Sequence, residues 1–160
     1  MSVSYDLLER QARELLADES DFIANAANFA SLVYHELPSV NWVGFYRLDA
    51  GGELVLGPFS GRPACTRLPA GRGVCGAAAN ARRTLVVDDV TIFADHIVCD
   101  SASRSEIVVP LMFDGALYGV FDIDSPVPAR FTDEDRLGIE RLVCAFTELV
   151  RSPLGAAIVR

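Results

Sequence analysis

The chain of 160 residues carries 22 acidic and 14 basic side chains, a formal net charge of −8, and is 51% hydrophobic and 22% charged, with 4 cysteines. So apolar a composition excludes an acidic disordered tail, and four cysteines are too few for a scaffold built on disulfides. The negative charge argues against general nucleic-acid binding, which needs lysine and arginine against phosphates. A length in this range fits one domain, which buries enough surface to fold without a metal or a disulfide. Near the start, Asp6, Glu9, Arg10, Arg13, Glu14, Asp18 and Glu19 leave no room for the apolar stretch of a secretory leader. No run approaches the ~20 apolar residues of a membrane span. The expectation is a cytoplasmic protein with no membrane partner, in a compartment where thiols stay reduced.

The first helix is predicted from Leu7, Leu8, Ala12, Leu15 and Leu16, which recur at helical spacing opposite Glu9, Arg10, Arg13 and Glu14. Ser20 is placed to cap a second helix with Ile23, Ala27, Ala30, Val33, Tyr34 and Leu37 as its apolar set, and Pro38 stops it. From Trp42 the period becomes two: Val43, Phe45 and Arg47 face one side, and Trp42, Gly44, Tyr46 and Leu48 the other. Gly51-Gly52 turns the chain, and residues 53–56 return as the second arm of a hairpin. Residues 57–73, rich in glycine and proline, read as loop with a short strand at 65–68. A small-residue helix is predicted at 74–83, a short strand at 85–87 and a polar, irregular segment at 88–104. Strands at 107–113 and 117–123 meet at Asp114-Gly115, a strong hairpin signal. Thr132 caps the last helix, whose positive end carries Asp133, Glu134 and Asp135. Leu137, Ile139, Leu142, Val143, Phe146 and Leu149 follow along that helix, and Pro153 comes after it. This order predicts an α+β fold with a mostly antiparallel central sheet and the N- and C-terminal helices packed on one face. It is one domain: residues 1–38 supply the N-terminal helices, 39–152 the core and closing helix, and 153–160 a tail.

Cys65, Cys75 and Cys99 lie in the loop-rich middle, where reactive thiols are found. Cys144, among apolar neighbours on the last helix, reads as a small core residue. Cys65, Cys75, His96 and Cys99 would make a zinc set, but no Cys-x₂₋₄-Cys pair supports it, and His96 reads better as a hydrogen-bonding loop residue. Asp122 and Asp124, two apart on a strand, point to the same side. Counting outward from the Asp114-Gly115 turn brings Glu106 near Asp122. Burial and mutual repulsion should raise at least one of these carboxyl pKa values. The alternative is that all three are solvated strand ends. Together, thiols and carboxyls suit the reduction of a sulfoxide. One cysteine attacks sulfur, a protonated carboxyl donates a proton to the departing oxygen, and a second cysteine condenses the sulfenic acid to a disulfide.

The chain also resembles a known family. NWVGFY (41–46), GPFSGRPAC (57–65), GRGVCGAAA (71–79), HIVCDSASRSEIVVPL (96–111), GVFDIDSP (119–126) and FTDED (131–135) are similar to segments of the free methionine-(R)-sulfoxide reductases, which are built on a single GAF domain. The resemblance implies thiol-dependent reduction of free L-methionine (R)-S-oxide through a sulfenic acid and an intramolecular disulfide recycled by thioredoxin. It implies Cys99 as the attacking cysteine and Cys65 as the resolving one. Cys75 is then an alternative resolver or a pocket-lining thiol. Glu106, Asp122 and Asp124 correspond to acidic residues that hold the free amino group and protonate the oxygen, and Trp42 and Tyr46 to aromatics that enclose the S-methyl end. For both aromatics, ordinary core residues remain the plain alternative. The family further implies a homodimer and no cofactor or metal. Two other readings stay open: a small-molecule-binding GAF sensor without catalysis, expected to serve an output domain, and a thiol peroxidase, which would not need the acidic cluster.

Overall fold

Helix α1 (Tyr5–Leu16) begins where the Ser4 hydroxyl accepts a hydrogen bond from the Leu7 amide. Its buried stripe is Tyr5, Leu8, Ala12 and Leu16, while Leu7 and Leu15 are 48% and 43% exposed. Helix α2 (Phe22–Glu36) is capped by Asp21 rather than Ser20: the Asp21 carboxylate accepts from the Ala24 amide at 2.8 Å. Its buried side is Asn25, Ala26, Phe29, Ala30 and Val33, so the expected apolar set is rotated from the true one. Ile23 is 59% exposed and Ala27 is also outside. The error is one of phase. Each residue advances about 100° around a helix, and Ala30 and Val33 belong to both sets. These coordinates form a computed structural model that describes residues 3–153, so most of the expected tail at 153–160 lies outside the described residues.

Among the described residues the sheet has six antiparallel strands in the order β3-β2-β1-β6-β5-β4. They are β1 (Trp42–Leu48), β2 (Leu54–Gly61), β3 (Arg67–Leu68), β4 (Leu85–Val87), β5 (Ser105–Phe113) and β6 (Ala116–Ser125). Strand β2 runs past the end expected from sequence. Its register against β1 shifts between Gly44 and Tyr46, so Gly57 and Pro58 fall in a bulge. A bulge is a place where a proline without an N–H costs no ladder hydrogen bond.

Period-two alternation divides the sheet as the sequence predicts. Val43 and Phe45 join Ile107, Val109, Leu111, Phe121 and Ile123 on the face covered by α1, α2 and α4 (Asp133–Leu149). The centre of that core is a ring cluster in which Phe29, Phe45, Phe121 and Phe146 lie with centroids 4.8–5.2 Å apart between neighbours. Helix α4 starts in a capping box between Thr132 and Asp135. Asp135 also accepts from the Tyr5 hydroxyl at 2.6 Å and pairs with Arg130 at 2.9 Å, which locks α1 to α4. Gly138 has no side chain because the Tyr5 ring occupies that space.

Among the described residues, the opposite face carries one α-helix, α3 (Gly73–Ala81), which packs over β5 and β6. Beneath it, Trp42, Tyr46, Val108 and Val120 form a second, smaller apolar cluster with Val74, Cys75 and Ala78. Among the described residues no helix is long and apolar enough to cross a membrane.

Candidate active site

The floor of the site is a set of side chains that three adjacent strands deliver to the α3 face. Across the β1–β6 pair, Trp42 stands opposite Asp124, Gly44 opposite Asp122, and Tyr46 opposite Val120. Across β5–β6, Glu106 stands opposite Asp124, and Val108 opposite Asp122. Residues directly opposite in an antiparallel pair share a face. Glu106, Asp122, Asp124, Trp42 and Tyr46, all singled out from sequence, therefore converge.

That convergence depends on one irregularity. Met112 pairs with Leu117, but Leu111 pairs with Gly119, so Tyr118 is an extra residue in β6. Without it, Glu106 would lie opposite Ile123, and Asp122 and Asp124 would fall on the other face of the sheet from Glu106. A bulge of one residue changes which face the rest of the ladder presents. Gly44 also serves the floor. A Cβ there would lie 2.5 Å from the tip of the Trp42 ring and 2.4 Å from the Phe59 Cβ, so its absence lets the indole tip occupy that space.

The roof comes from α3, the β2–β3 connection and the segment after β4. Cys65 and Cys99 are joined by a disulfide, with Cα atoms 5.4 Å apart across 34 residues of sequence. Cys65 is half-buried and Cys99 exposed. The pairing that the resemblance implied is thus present, and it removes two ligands from the zinc set of Cys65, Cys75, His96 and Cys99. The Tyr46 hydroxyl donates to the Cys65 carbonyl at 2.8 Å. On the other side, Arg72 and Asp95 form an ion pair, and the Asp95 carboxylate also accepts from the Gly73 amide at the start of α3. Gly73 has a φ of +69°, a conformation that favours glycine, and Ile97 lies at ordinary contact distance from where its Cβ would stand. Asn41 Nδ2 donates to Ser103 Oγ at 3.1 Å, and Asp100 Oδ1 accepts from the Ala102 amide at 2.9 Å. Roof and floor enclose a cavity of about 50 Å³ lined by both aromatics, all three carboxyls, Cys75 and Cys99.

Burial dominates the electrostatics. It holds the Glu106 carboxyl well above the usual range, and the negative charges of Asp122 and Asp124 push it further. Burial also raises Asp122, to about 7, against the opposing effect of its interactions with Glu106 and Cys75. Asp124 is raised by burial and then by the charges of Asp122 and Asp100. The Cys75 thiol is raised by burial and then by all three acids, and it donates to Glu106 Oε1 at 3.8 Å. At neutral pH the cluster therefore retains protons. Cys75, Glu106 and Asp122 bring ligand atoms within 4.8 Å of one another. The retained protons oppose a metal there, because ligation needs thiolate and carboxylate. Two buried polar atoms of the lining have no protein partner: the acceptor Asp122 Oδ1 and the donor Trp42 Nε1. In a polar cavity such atoms are positions for a ligand's hydrogen bonds.

His96 lines the cavity, and partial burial lowers its pKa. Arg72, Asp95, Ile97 and Ser103 were not singled out from sequence. The Asp100-Ser101-Ala102 turn was legible, since an aspartate that bonds a backbone amide two residues on is a recurrent turn device. Cys144 is corrected: it is exposed, and its thiol donates to Glu148 Oε1 at 3.5 Å. Its apolar neighbours Leu142, Val143 and Phe146 face the core, while position 144 faces outward.

Comparison with known proteins places this geometry. The sequence profile of the GAF domain matches residues 12–151. A solved GAF protein from Burkholderia vietnamiensis is 58% identical, with a TM-score of 0.87 and coverage of 91% of this chain and 92% of that one. The free methionine-R-sulfoxide reductase of Escherichia coli K12 is 47% identical over 146 residues, 91% of this chain and 88% of the relative. The free methionine-R-sulfoxide reductase of Neisseria meningitidis, solved in complex with its substrate, is 46% identical with a TM-score of 0.86, covering 90% of this chain and 86% of that one.

Proposed function

The chain belongs to the GAF-domain family and, within it, to the free methionine-(R)-sulfoxide reductases, and from that premise we propose that it reduces free L-methionine (R)-S-oxide to L-methionine. The observation that carries the reading is the Cys65–Cys99 disulfide at the edge of a cavity floored by three buried carboxyls. A simple binding domain has no use for that combination.

In this reading the acidic floor binds the substrate's ammonium group, and the Trp42 and Tyr46 rings pack against its S-methyl end, as sulfur favours aromatic contact. The Cys99 thiolate attacks the sulfoxide sulfur. Glu106, kept protonated by burial and by its acidic neighbours, delivers the proton that the departing oxygen needs. The sulfoxide gains two electrons and leaves as a thioether, and its oxygen ends on Cys99 as a sulfenic acid. Cys65 then attacks Cys99 Sγ, the S–O bond breaks, and the oxygen leaves as water. A thioredoxin-class dithiol protein supplies two electrons and two protons to reopen the disulfide, and the exposed Cys99 is the sulfur it can reach. Cys75, a buried thiol beside Glu106, acts in this scheme as part of the acid cluster rather than as the resolver.

The ammonium site also accounts for selectivity, because a methionine residue inside a peptide has an amide where the free amino acid has a charge. The test compares the free R epimer, the free S epimer and an N-acetylated R substrate, with wild type and Cys99→Ser. Turnover is expected only for the free R epimer with wild type. Full activity in Cys99→Ser, or equal rates on the acetylated substrate, overturns the reading.

A further inference from the structure

Disulfide closure depends on where the Cys65 main chain stands when the bond is open. Cys65 lies in the irregular connection between β2 and β3, where Arg62 and Pro63 are exposed. Two hydrogen bonds hold this stretch to the sheet: the Leu56 amide donates to the Thr66 carbonyl at 2.9 Å, and the Tyr46 hydroxyl donates to the Cys65 carbonyl itself at 2.8 Å. Tyr46 is a rigid post. It sits within β1 between β2 and β6, is 3% exposed, and stacks on Trp42 with ring centroids 5.8 Å apart at 28°. Burial and the neighbouring acids keep its hydroxyl protonated, so it is a permanent donor.

We propose that Tyr46 is the positioning residue of the resolving step: its hydroxyl pins the Cys65 carbonyl to the sheet, so that Cys65 Sγ stays within reach of Cys99 after the disulfide opens. This goes beyond contact with the substrate's methyl group. It uses the far end of the same ring for the second half of the cycle. The direction of the chemistry rests on the function proposed above; the pairing of Cys65 with Cys99 does not. In the step concerned, the Cys65 sulfur bonds to the Cys99 sulfur, the Cys99 S–O bond breaks, and oxygen departs as water, with no outside oxidant. The physical lever is effective concentration: a tethered thiol surrenders little freedom when the ring closes, and a loose one surrenders more.

The test is Tyr46→Phe, which keeps the ring and deletes only the hydroxyl. In a glutathione redox buffer the equilibrium constant for closing Cys65–Cys99 is expected to fall about tenfold, equivalent to about 30 mV. In single turnover, thiol titration is expected to show disulfide closure slowed about tenfold, while methionine formation changes much less. Tyr118→Phe serves as the control. It deletes a tyrosine hydroxyl on the helix-covered face, away from the cavity lining, so the glutathione equilibrium and the closure rate should hold. A urea midpoint on reduced Tyr46→Phe verifies that it folds. An unchanged redox equilibrium in Tyr46→Phe, or an equal slowing of methionine formation and closure, overturns the proposal. If wild type forms no methionine, the proposed activity falls, and the redox-buffer measurement still decides the role of Tyr46.

Discussion

Replacing Asp122 by asparagine removes one ionisable group from the cavity floor while nearly preserving its shape, and the consequence for stability has a definite sign. An aspartate in the unfolded chain titrates near 3.9. In the fold, burial raises Asp122 to about 7. The native state therefore holds this proton more tightly than the unfolded state. The stability it contributes is fully present below about pH 4 and is lost as pH rises toward 7. A difference of about 3 pKa units at 1.36 kcal/mol each makes the loss roughly 4 kcal/mol, an upper figure because Glu106 and Asp124 share the titration. Asp122→Asn is spared that loss. At pH 4 the variant and wild type should agree within about 1 kcal/mol, and at pH 8 the variant should be more stable by up to about 4 kcal/mol. Urea unfolding of both proteins in the same redox state, at half-unit steps from pH 4 to 8.5, measures the two curves. Parallel curves, or a wild type that gains stability between pH 5 and 7, would show that Asp122 is not the buried, proton-retaining group described here.

Three further outcomes follow from the same coordinates. Glu106→Gln removes the proposed proton donor and should slow single-turnover methionine formation by about 10²- to 10⁴-fold, read by quenched flow. Phe146→Ala empties the middle of the aromatic cluster, where Phe146 contacts Phe29 and Phe45, and should cost about 3–5 kcal/mol in urea unfolding. Cys144→Ser, at an exposed position far from the cavity lining, should stay within about 0.5 kcal/mol of wild type and keep full turnover.

Together these tests separate the two halves of the domain. Phe146 probes the helix-covered face that stabilises the fold, while Asp122 and Glu106 probe a face whose buried charges work against stability. Natural proteins commonly accept such local conflicts where a site must do chemistry. Here they are concentrated on the side of the sheet that α3 and the neighbouring loops cover.

Much of this was legible in the residues alone. Alternation in β1 assigned Val43 and Phe45 to one face and Trp42 and Tyr46 to the other. The Asp122-x-Asp124 spacing put two carboxyls on one side of a strand, and Thr132 marked the start of α4. These features are local, set by a period of two or by a cap a few residues long, so the chain states them directly. Helix phase was less secure. The α2 set was misplaced because Ile23 and Ala27 are as apolar as Phe22 and Ala26, and only the packed sheet selects between the two stripes. Cys144 was misjudged for the same reason, since its neighbours in sequence are not its neighbours on the helix surface.

The sequence by itself determined an acidic, single-domain α+β chain with three thiols in its middle and, through its motifs, the family to which it belongs. Only the tertiary structure decided how those parts meet. The extra residue Tyr118 brought Asp122 and Asp124 onto the face of Glu106, Gly44 made way for Trp42, and the Tyr46 hydroxyl met the Cys65 carbonyl. Cys65 and Cys99 came within 5.4 Å across 34 residues. Such contacts arise from strand register and loop closure, which sum over many residues. No spacing within a single segment encodes them.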